Sequence, residues 1–221
     1  MSGIHLLQVR NLSFRYGSGS SPLFDGASLD IHPEDQIGLW ADNGTGKTTL
    51  LRIITGLVTP QRMDLTLDGE PVLDEEGFRR VRRRFGFVLQ NPDDQLFFPE
   101  VIADVMFGPL NIGMTEEEAR KSAEEALAAM GIAHLAGSES FHLSGGQKRL
   151  VTIASILSMK PEGLLLDEPT TGLDARARAN LTGVLRSLPG PRLVVSHNRD
   201  FLSAVSNRIL GIRDGRLVPL A

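Results

Sequence analysis

The stretch that decides the fold of this chain is Ile37-Gly38-Leu39-Trp40-Ala41-Asp42-Asn43-Gly44-Thr45-Gly46-Lys47-Thr48-Thr49. A short apolar strand leads into a glycine loop, and a helix is predicted to follow over residues 50–55. The backbone N–H groups of such a loop can surround a polyphosphate, and the helix N-terminus adds partial positive charge. The stretch therefore predicts a phosphate site between a strand and a helix.

Lys47 and Thr48 carry the chemistry of this loop. Lys47 would reach the β- and γ-phosphates of a nucleotide, and the Thr48 hydroxyl would hold Mg²⁺. The remaining predicted phosphate-binding residues are Asn43, Gly44, Thr45, Gly46 and Thr49. The pattern G-x-x-x-x-G-K-[ST] begins with glycine, whereas this chain has Ala41. If position 41 needs a positive φ, the extra methyl group costs about 1 kcal/mol. The alternative interpretation is a glycine turn that only caps a helix.

A second candidate anion site lies in His142-Leu143-Ser144-Gly145-Gly146-Gln147. Ser144 can cap a helix while Gly145 and Gly146 expose their N–H groups at its N-terminus. The alternative is an ordinary Ser-Gly-Gly turn before a core helix. One nucleotide rarely needs two helix N-termini from the same molecule, so the second site needs a separate explanation.

Two carboxylates follow the apolar run at residues 163–166. The run predicts a buried strand that places Asp167 at its carboxyl end, where ligands bind in open α/β sheets. Asp167 can hold Mg²⁺ directly or through water, and Glu168 can take the proton from an attacking water. The alternative is an acidic strand end in a solvated turn.

Strand-length apolar runs alternate with helical stretches along the chain, which predicts an α/β fold with a mainly parallel sheet. The predicted strands are residues 37–40, 85–89, 163–166, 192–195 and 208–212. Residues 91–160 contain no convincing strand. They contain instead a helix opened by a Thr115/Glu118 capping box and ended by Gly131, and a second helix after Ser144-Gly145-Gly146. We therefore expect a mostly helical subdomain at 91–160, inserted into a core formed by 1–90 and 161–221.

Composition narrows the class of protein. The 221 residues carry 23 Lys plus Arg and 27 Asp plus Glu, a net charge of −4, and no cysteine. Thiol catalysis and cysteine-ligated zinc are therefore excluded. We find neither a signal peptide nor an apolar run of the about 20 residues that a bilayer requires. The arginines at 79–84 are interpreted as a solvated face, with lipid headgroups or acidic partner loops as the alternative. The scattered residues His5, His32, His134 and His142 form no metal cluster that the spacing supports.

In this order the motifs resemble those of the nucleotide-binding subunit of ABC-type ATPases, and the resemblance covers the whole chain. Residues 143–147 are identical to the family's signature sequence, and residues 164–168 resemble its magnesium-binding strand with the catalytic glutamate. Residues 171–174 resemble the loop that links two subunits, and 195–197 the strand that ends in the switch histidine. The resemblance implies a P-loop NTPase core, an antiparallel β part near the N-terminus and an inserted helical subdomain.

The resemblance also implies how the two anion sites are used. Two cassettes, identical or paralogous, would pair head to tail, so that ATP on Lys47 of one chain is covered by the signature residues Ser144, Gly145 and Gly146 of the other. Because the chain ends soon after its predicted last strand, we expect no C-terminal dimerisation domain. Pairing would then rely on nucleotide and membrane partners.

Further roles follow from the same resemblance. Glu168 would polarise water, His197 would hold the γ-phosphate, and Tyr16 would stack on adenine. Gln90 would touch Mg²⁺ and sense an integral membrane subunit, which the segment 90–108 would contact. The implied place of the chain is the cytoplasmic face of the membrane, as a peripheral subunit, with ATP and Mg²⁺ bound.

Residues 90–97 and 104–111 are similar to those of the energy-coupling-factor type of importer, and 107–111 to its cobalt or nickel members. Two alternatives stay open. A soluble ABC-type ATPase acting on nucleic acid or ribosomes would carry long coiled-coil insertions or tandem cassettes, for which 221 residues leave no room. A small phosphotransfer enzyme would use the lysine loop but not residues 143–147. We expect no nucleic-acid partner.

Overall fold

The computed structural model describes residues 6–17, 19–42 and 44–220. The strands in these residues are β1 (Leu7–Phe14), β2 (Phe24–Ile31), β3 (Gln36–Leu39), β4 (Arg62–Leu67), β5 (Glu70–Pro71), β6 (Phe85–Val88), β7 (Gly163–Asp167), β8 (Arg192–Val195), β9 (Arg208–Arg213) and β10 (Arg216–Leu220). The α-helices are α1 (Lys47–Ile54), α2 (Glu75–Arg84), α3 (Val101–Asn111), α4 (Glu116–Ala129), α5 (Gly145–Leu157), α6 (Ala175–Ser187) and α7 (Arg199–Val205). Single 3-10 turns lie at Pro92–Asp94, Ala133–Leu135 and Ser140–His142.

The first sheet is antiparallel, with strand order β2-β1-β4-β5. Buried residues alternate along β1 up to Val9 and again from Leu12, and the pairing register shifts between these two residues. Asn11 lies in this shift with a φ of 53°. A bulge of one extra residue restores the inward direction of the apolar side chains.

The second sheet positions the candidate site. Its strand order is β10-β9-β3-β8-β7-β6, with parallel pairing from β9 to β6 and only β10 antiparallel. Every residue of β7 is buried, as expected for a parallel strand covered on both faces. The carboxyl ends of β3, β6, β7 and β8 meet at one edge, and the residues that follow them build the site.

The sequence predicted five strands of the second sheet, β3 and β6 to β9, to within one residue at each end. The last strand, β10, ends two residues beyond the predicted 216–218. The strand at 192–195 agrees fully, and 37–40 is shifted by one residue against β3. The helix after the glycine loop begins at Lys47, three residues earlier than predicted. The arginines at 79–84 precede the β6 strand as expected, but they lie on α2, a helix that was not predicted.

The segment between β6 and β7 is helical, and its only β pairing in the described residues is an isolated bridge between Glu100 and Glu139. The predicted capping box is present at the start of α4, where Glu118 Oε2 accepts from Thr115 N at 2.8 Å. Apolar residues of α3, α4 and α5 form one cluster with β7 residues such as Leu166. The helices are thus continuous with the sheet core, and the boundaries 91–160 of a subdomain stay a prediction.

Pro109 lies inside α3 and has no N–H to donate to the carbonyl of Val105, four residues earlier. The Ser158 hydroxyl, which follows α5, lies 2.9 Å from that carbonyl oxygen. Ser122 of α4 donates in turn to the Ser158 carbonyl at 2.7 Å. The hydroxyl, which also lies 2.9 Å from Ser155 O, can therefore donate in place of the missing helical N–H. Ser158 thus joins the end of α5 to the middle of α3 and of α4.

Candidate functional site

The glycine loop places Lys47 at the start of α1. Gly46 caps this helix with a φ of 104°, a conformation that favours glycine. A Cβ atom on Gly46 would lie 2.7 Å from Leu23 Cγ, so the position also lacks space for a side chain. The Lys47 Nζ donates to the carbonyl oxygens of Ala41 at 2.6 Å and Asp42 at 2.8 Å. The loop thus holds its own ammonium group at the edge of the sheet.

Ala41 does not have the positive φ that would have strained it, because the non-glycine residues with positive φ are elsewhere in the described chain. Its methyl group is buried and its carbonyl oxygen holds Lys47. The departure from glycine is therefore compatible with the loop conformation. Thr45 uses its hydroxyl within the loop, donating to Asp42 O at 2.8 Å. Asn43, also predicted to bind phosphate, lies outside the described residues.

Asp167 is the unusual group of the site. Its side chain is fully buried, and neither carboxylate oxygen has a hydrogen-bond partner within the described residues. Burial is the main cause that raises the pKa of Asp167; the Thr48 hydroxyl and the charges of Arg52 and Arg149 oppose the shift, and the Glu168 charge reinforces it. A buried carboxylate without partners is destabilised unless a cation joins it. The Thr48 hydroxyl and the Gln90 amide line the same cavity, and together with the Asp167 carboxylate they offer oxygen atoms of the kind that could hold Mg²⁺.

Glu168 follows directly, in a left-handed backbone conformation with a φ of 48°. Its N–H donates to Val195 O at 2.9 Å, which ties it to the end of β8. Its Oε1 accepts from His197 N at 2.9 Å, and its Oε2 accepts from Ser196 Oγ at 3.1 Å. The carboxylate is thus fixed by the residues that follow β8, while the His197 ring is largely exposed.

A cavity of about 390 Å³ opens between the glycine loop and these strand ends. Nine of the predicted residues line it, joined by Leu23: Tyr16, Gly44, Gly46, Lys47, Thr48, Thr49, Gln90, Asp167 and Glu168. The Tyr16 ring is 69% exposed, and its hydroxyl lies 2.7 Å from Thr49 Oγ1 on α1. The exposed ring of Tyr16 therefore lies beside the glycine loop.

The signature residues Ser144, Gly145 and Gly146 do not line this cavity. Ser144 caps α5 as predicted, in a capping box with Gln147. A Cβ atom on Gly146 would lie 2.7 Å from the carbonyl oxygen of Gly172, so the missing side chain allows α5 to approach the 171–174 loop. The two candidate anion sites are therefore separate in one chain.

Among the buried charged residues that were not predicted, Asp104 and Arg149 bind the segment that follows β6. Asp104 of α3 accepts the N–H groups of Phe97 at 2.7 Å and Phe98 at 2.9 Å, and the Ser140 hydroxyl at 2.8 Å. Arg149 of α5 donates to the carbonyls of residues 89 and 90. Neither residue belongs to a recognisable motif, because each acts on backbone groups that only the fold brings close.

Comparisons with known proteins agree with this geometry. A family profile described as "ABC transporter" matches residues 24–171. A putative ABC transporter ATP-binding protein of Nitratidesulfovibrio vulgaris is 40% identical over 97% of this chain and 78% of its own length. The energy-coupling factor transporter ATP-binding protein EcfA of Methanosphaera stadtmanae is 38% identical over 96% of this chain and 78% of its own length.

Two solved structures are similar over nearly the whole chain. One is cbiO1 of Clostridium perfringens, described as part of the ABC transporter complex cbiONQ, with a TM-score of 0.83, 32% identity and coverage of 97% of this chain and 87% of that one. The other is the dimeric cassette MJ0796 in a post-hydrolysis state with ADP and Pi, with a TM-score of 0.86, 26% identity and 96% coverage of both chains. Within the residues that the structure describes, every helix is too short or too polar to cross a bilayer.

Proposed function

The chain belongs to the ABC transporter family as an ATP-binding, ATP-hydrolysing subunit, and from that premise we propose that it powers a membrane importer of the energy-coupling-factor type. The proposed cargo is a transition-metal ion, cobalt or nickel. The importer type is supported by the EcfA relative and by the likeness to cbiO1. The cargo rests on the stretch Phe107-Gly108-Pro109-Leu110-Asn111 alone.

The observation that carries the ATPase assignment is the unpartnered, buried carboxylate of Asp167 between Lys47 and Glu168. We assign Lys47 to the β- and γ-phosphates and Tyr16 to the adenine ring, with the loop glycines and Thr49 around the phosphates. Asp167, Thr48 and Gln90 would hold Mg²⁺, which would neutralise part of the phosphate charge during hydrolysis.

Glu168 is proposed as the base of hydrolysis. Within the described part of the chain, its Oε1 accepts a single hydrogen bond, from the His197 N–H, so a lone pair is left to accept the proton of an attacking water. Its Oε2 is held by Ser196 and by the His197 ring. The exposed edge of the His197 ring would then face the γ-phosphate.

We propose that two cassettes complete the site by pairing head to tail. The signature residues Ser144, Gly145 and Gly146 lie outside the cavity of their own chain, and they would cover ATP bound to Lys47 of the other chain. The first N–H groups of α5 point out of the start of the helix, a place where an anion is stabilised. The dimeric MJ0796 structure supports this arrangement.

The membrane partner would contact an aromatic surface formed by Phe97, Phe98 and Phe107. The Phe97 and Phe107 side chains are 68% and 43% exposed, and the Phe107 ring lies 6.3 Å from Phe97 and 5.3 Å from Phe98. An exposed apolar cluster of this kind is typical of an interaction site. We therefore place the chain at the cytoplasmic face of the membrane, bound through the 90–108 segment.

The test is reconstitution of the chain with its membrane subunits in lipid vesicles. We expect ATP-dependent uptake of Co²⁺ or Ni²⁺, and loss of subunit binding by Phe107→Ala but not by Leu73→Ala, which removes an exposed apolar side chain before α2. ATP hydrolysis with uptake of a different cargo would contradict the metal assignment. Copurification with nucleic acid instead of a membrane subunit would favour the alternative of an ABC-type ATPase acting on nucleic acid or ribosomes.

A further inference from the structure

Arg149 lies in the second turn of α5, and its side chain runs inward, leaving the residue 2% exposed. Its Nη1 donates to the Leu89 carbonyl at 2.7 Å, and its Nη2 donates to the Gln90 carbonyl. A guanidinium group can hold two acceptors in a fixed plane, which an ammonium group cannot. The helix that begins at Ser144 is thereby attached to the backbone that carries Gln90.

The Gln90 side chain is exposed and lines the cavity, so the backbone decides where its amide points. On the other side of this backbone, the Gln95 side chain accepts from Leu89 N at 2.7 Å and donates to Phe87 O at 3.0 Å. Gln95 fixes the part of the connection that is nearer to β6. Among the described side chains, only that of Arg149 donates to the Gln90 carbonyl oxygen.

The charged groups near Arg149 belong to the same candidate ATP site. Burial lowers the pKa of its guanidinium, and the nearby carboxylates of Asp167 and Glu168 oppose that shift. Its Nε has no hydrogen-bond partner within the described residues. Arg149 is thus close enough to both carboxylates of the site to be affected by their charge, while its hydrogen bonds go to the backbone that carries Gln90.

We propose that Arg149 is a positioning residue, which fixes Gln90 toward Asp167 and passes any displacement of the signature helix α5 to Gln90. The proposal rests on the proposed function, because Gln90 and Asp167 matter there as donors in the ATP site. In a head-to-tail pair, α5 covers the nucleotide of the partner chain, while Gln90 serves the nucleotide of its own chain. Arg149 then joins parts of two different ATP sites.

The chain offers a matched control in Arg192, which is also 2% exposed. Arg192 donates to main-chain carbonyls, from Nε to Val205 O at 2.9 Å and from Nη1 to Leu188 O at 3.3 Å. Burial lowers its pKa as well. It lies at the start of β8, at the edge of the sheet away from the cavity, so its loss reports the effect of removing a buried guanidinium alone.

The first test is a double-mutant cycle between Arg149→Lys and Gln90→Ala, measured as kcat for ATP hydrolysis by the full chain. If Arg149 acts through the Gln90 side chain, Arg149→Lys lowers kcat at least about fivefold in the wild-type chain but less than about twofold in the Gln90→Ala chain. Lysine keeps the positive charge and the aliphatic part of the side chain, which favours folding of the variant. Equal losses in both chains, or an unchanged kcat, would refute the proposal.

The second test does not depend on hydrolysis. Amide hydrogen exchange at Leu89, in the protein without nucleotide, should be at least about fivefold faster in Arg149→Lys than in the wild type, because one end of the connection is released. Arg192→Lys should lower the melting temperature and leave exchange at Leu89 unchanged. Equal exchange in Arg149→Lys and the wild type would refute the proposal even if the chain hydrolysed no ATP, whereas the proposed function would fail on hydrolysis alone.

Discussion

Glu168 and His197 share a hydrogen bond of 2.9 Å between Oε2 and Nδ1. Because an ionised carboxylate only accepts, Nδ1 carries the proton whenever Glu168 is charged. The opposite ring nitrogen, Nε2, then donates to a phosphate oxygen only when the ring is an imidazolium. The pair is thus arranged so that Glu168 sets which hydrogen-bonding role His197 offers to the nucleotide.

The first prediction concerns Glu168→Gln. The amide keeps the size of the side chain and an oxygen for the His197 N–H, but it cannot take a proton from water. We expect kcat for ATP hydrolysis to fall at least about 100-fold, the usual contribution of a general base. ATP binding should persist, so that light scattering detects an ATP-dependent dimer.

Glu162→Gln is the matched control, since Glu162 is exposed and precedes the opposite end of β7. Its kcat should equal that of the wild type. Hydrolysis at the wild-type rate by Glu168→Gln would remove Glu168 from the role of base.

The second prediction is the pH dependence caused by Asp167. Because burial raises its pKa, the folded protein binds the proton more tightly than the unfolded chain, whose carboxyl titrates at about 3.9. Stability therefore falls as pH rises from about 3.9 through the raised pKa, and the penalty persists at neutral pH. Asp167→Asn should raise the melting temperature at pH 7 without nucleotide or metal, and the gain should shrink as pH falls toward about 4.

Calorimetry with and without Mg²⁺ and ATP checks this expectation. Mg²⁺ with ATP should raise the melting temperature of the wild type more than that of Asp167→Asn. The control Asp25→Asn removes an exposed carboxylate and should show no gain at either pH. A destabilised Asp167→Asn at neutral pH would mean that the carboxylate has a partner in the folded chain.

The third prediction compares Gly44→Ala with Gly46→Ala. Both glycines have positive φ, 80° and 104°, but only a Cβ on Gly46 would meet other atoms within 4 Å. Gly44→Ala should lower the free energy of unfolding by about 1 kcal/mol, the cost of backbone strain. Gly46→Ala should lower it by roughly 1–3 kcal/mol more, because the methyl group meets Leu23. Urea unfolding measures the difference, and equal losses would contradict the close packing at Gly46.

The fourth prediction concerns Ser158→Ala, which leaves the Val105 carbonyl without its donor. We expect a loss of about 1–3 kcal/mol in the free energy of unfolding. In a Pro109→Ala chain, residue 109 regains an N–H for that carbonyl, so the same change should cost at least about 1 kcal/mol less. Ser187→Ala, which removes an exposed hydroxyl bonded within α6, is the control. Equal costs in both backgrounds would show that Ser158 does not replace the helical bond.

The sequence predicts the second sheet and most of the cavity because these depend on local patterns. An apolar run followed by Asp167, and another followed by the Lys47 loop, place both groups at strand ends, and parallel strands bring those ends together. The helix caps at Thr115 and Ser144 were likewise predictable from the sequence, since all residues of a capping box lie within a stretch of four.

Other features depend on contacts between distant residues. The α2 helix carries few apolar residues, chiefly Phe78 and Val81, so its periodicity is weak. Asp104 accepts from the Ser140 hydroxyl, and Arg149 donates to the Leu89 carbonyl. Both partners are distant in sequence, and neither residue belongs to a recognisable motif, so only the packed helices reveal these contacts. The fully buried state of Asp167 likewise follows from the layers on both faces of β7 rather than from its neighbours in sequence.

The aromatic surface has a consequence for how the chain is produced. Buried Asp104 holds the backbone of Phe97 and Phe98 at the surface, so their rings stay near it when nothing covers them. A copy without the proposed membrane partner would present the same apolar face to other copies, which favours aggregation. Under the proposed function, balanced synthesis of the subunits would keep this cassette dispersed, and the supply of partner would limit how much of it can accumulate.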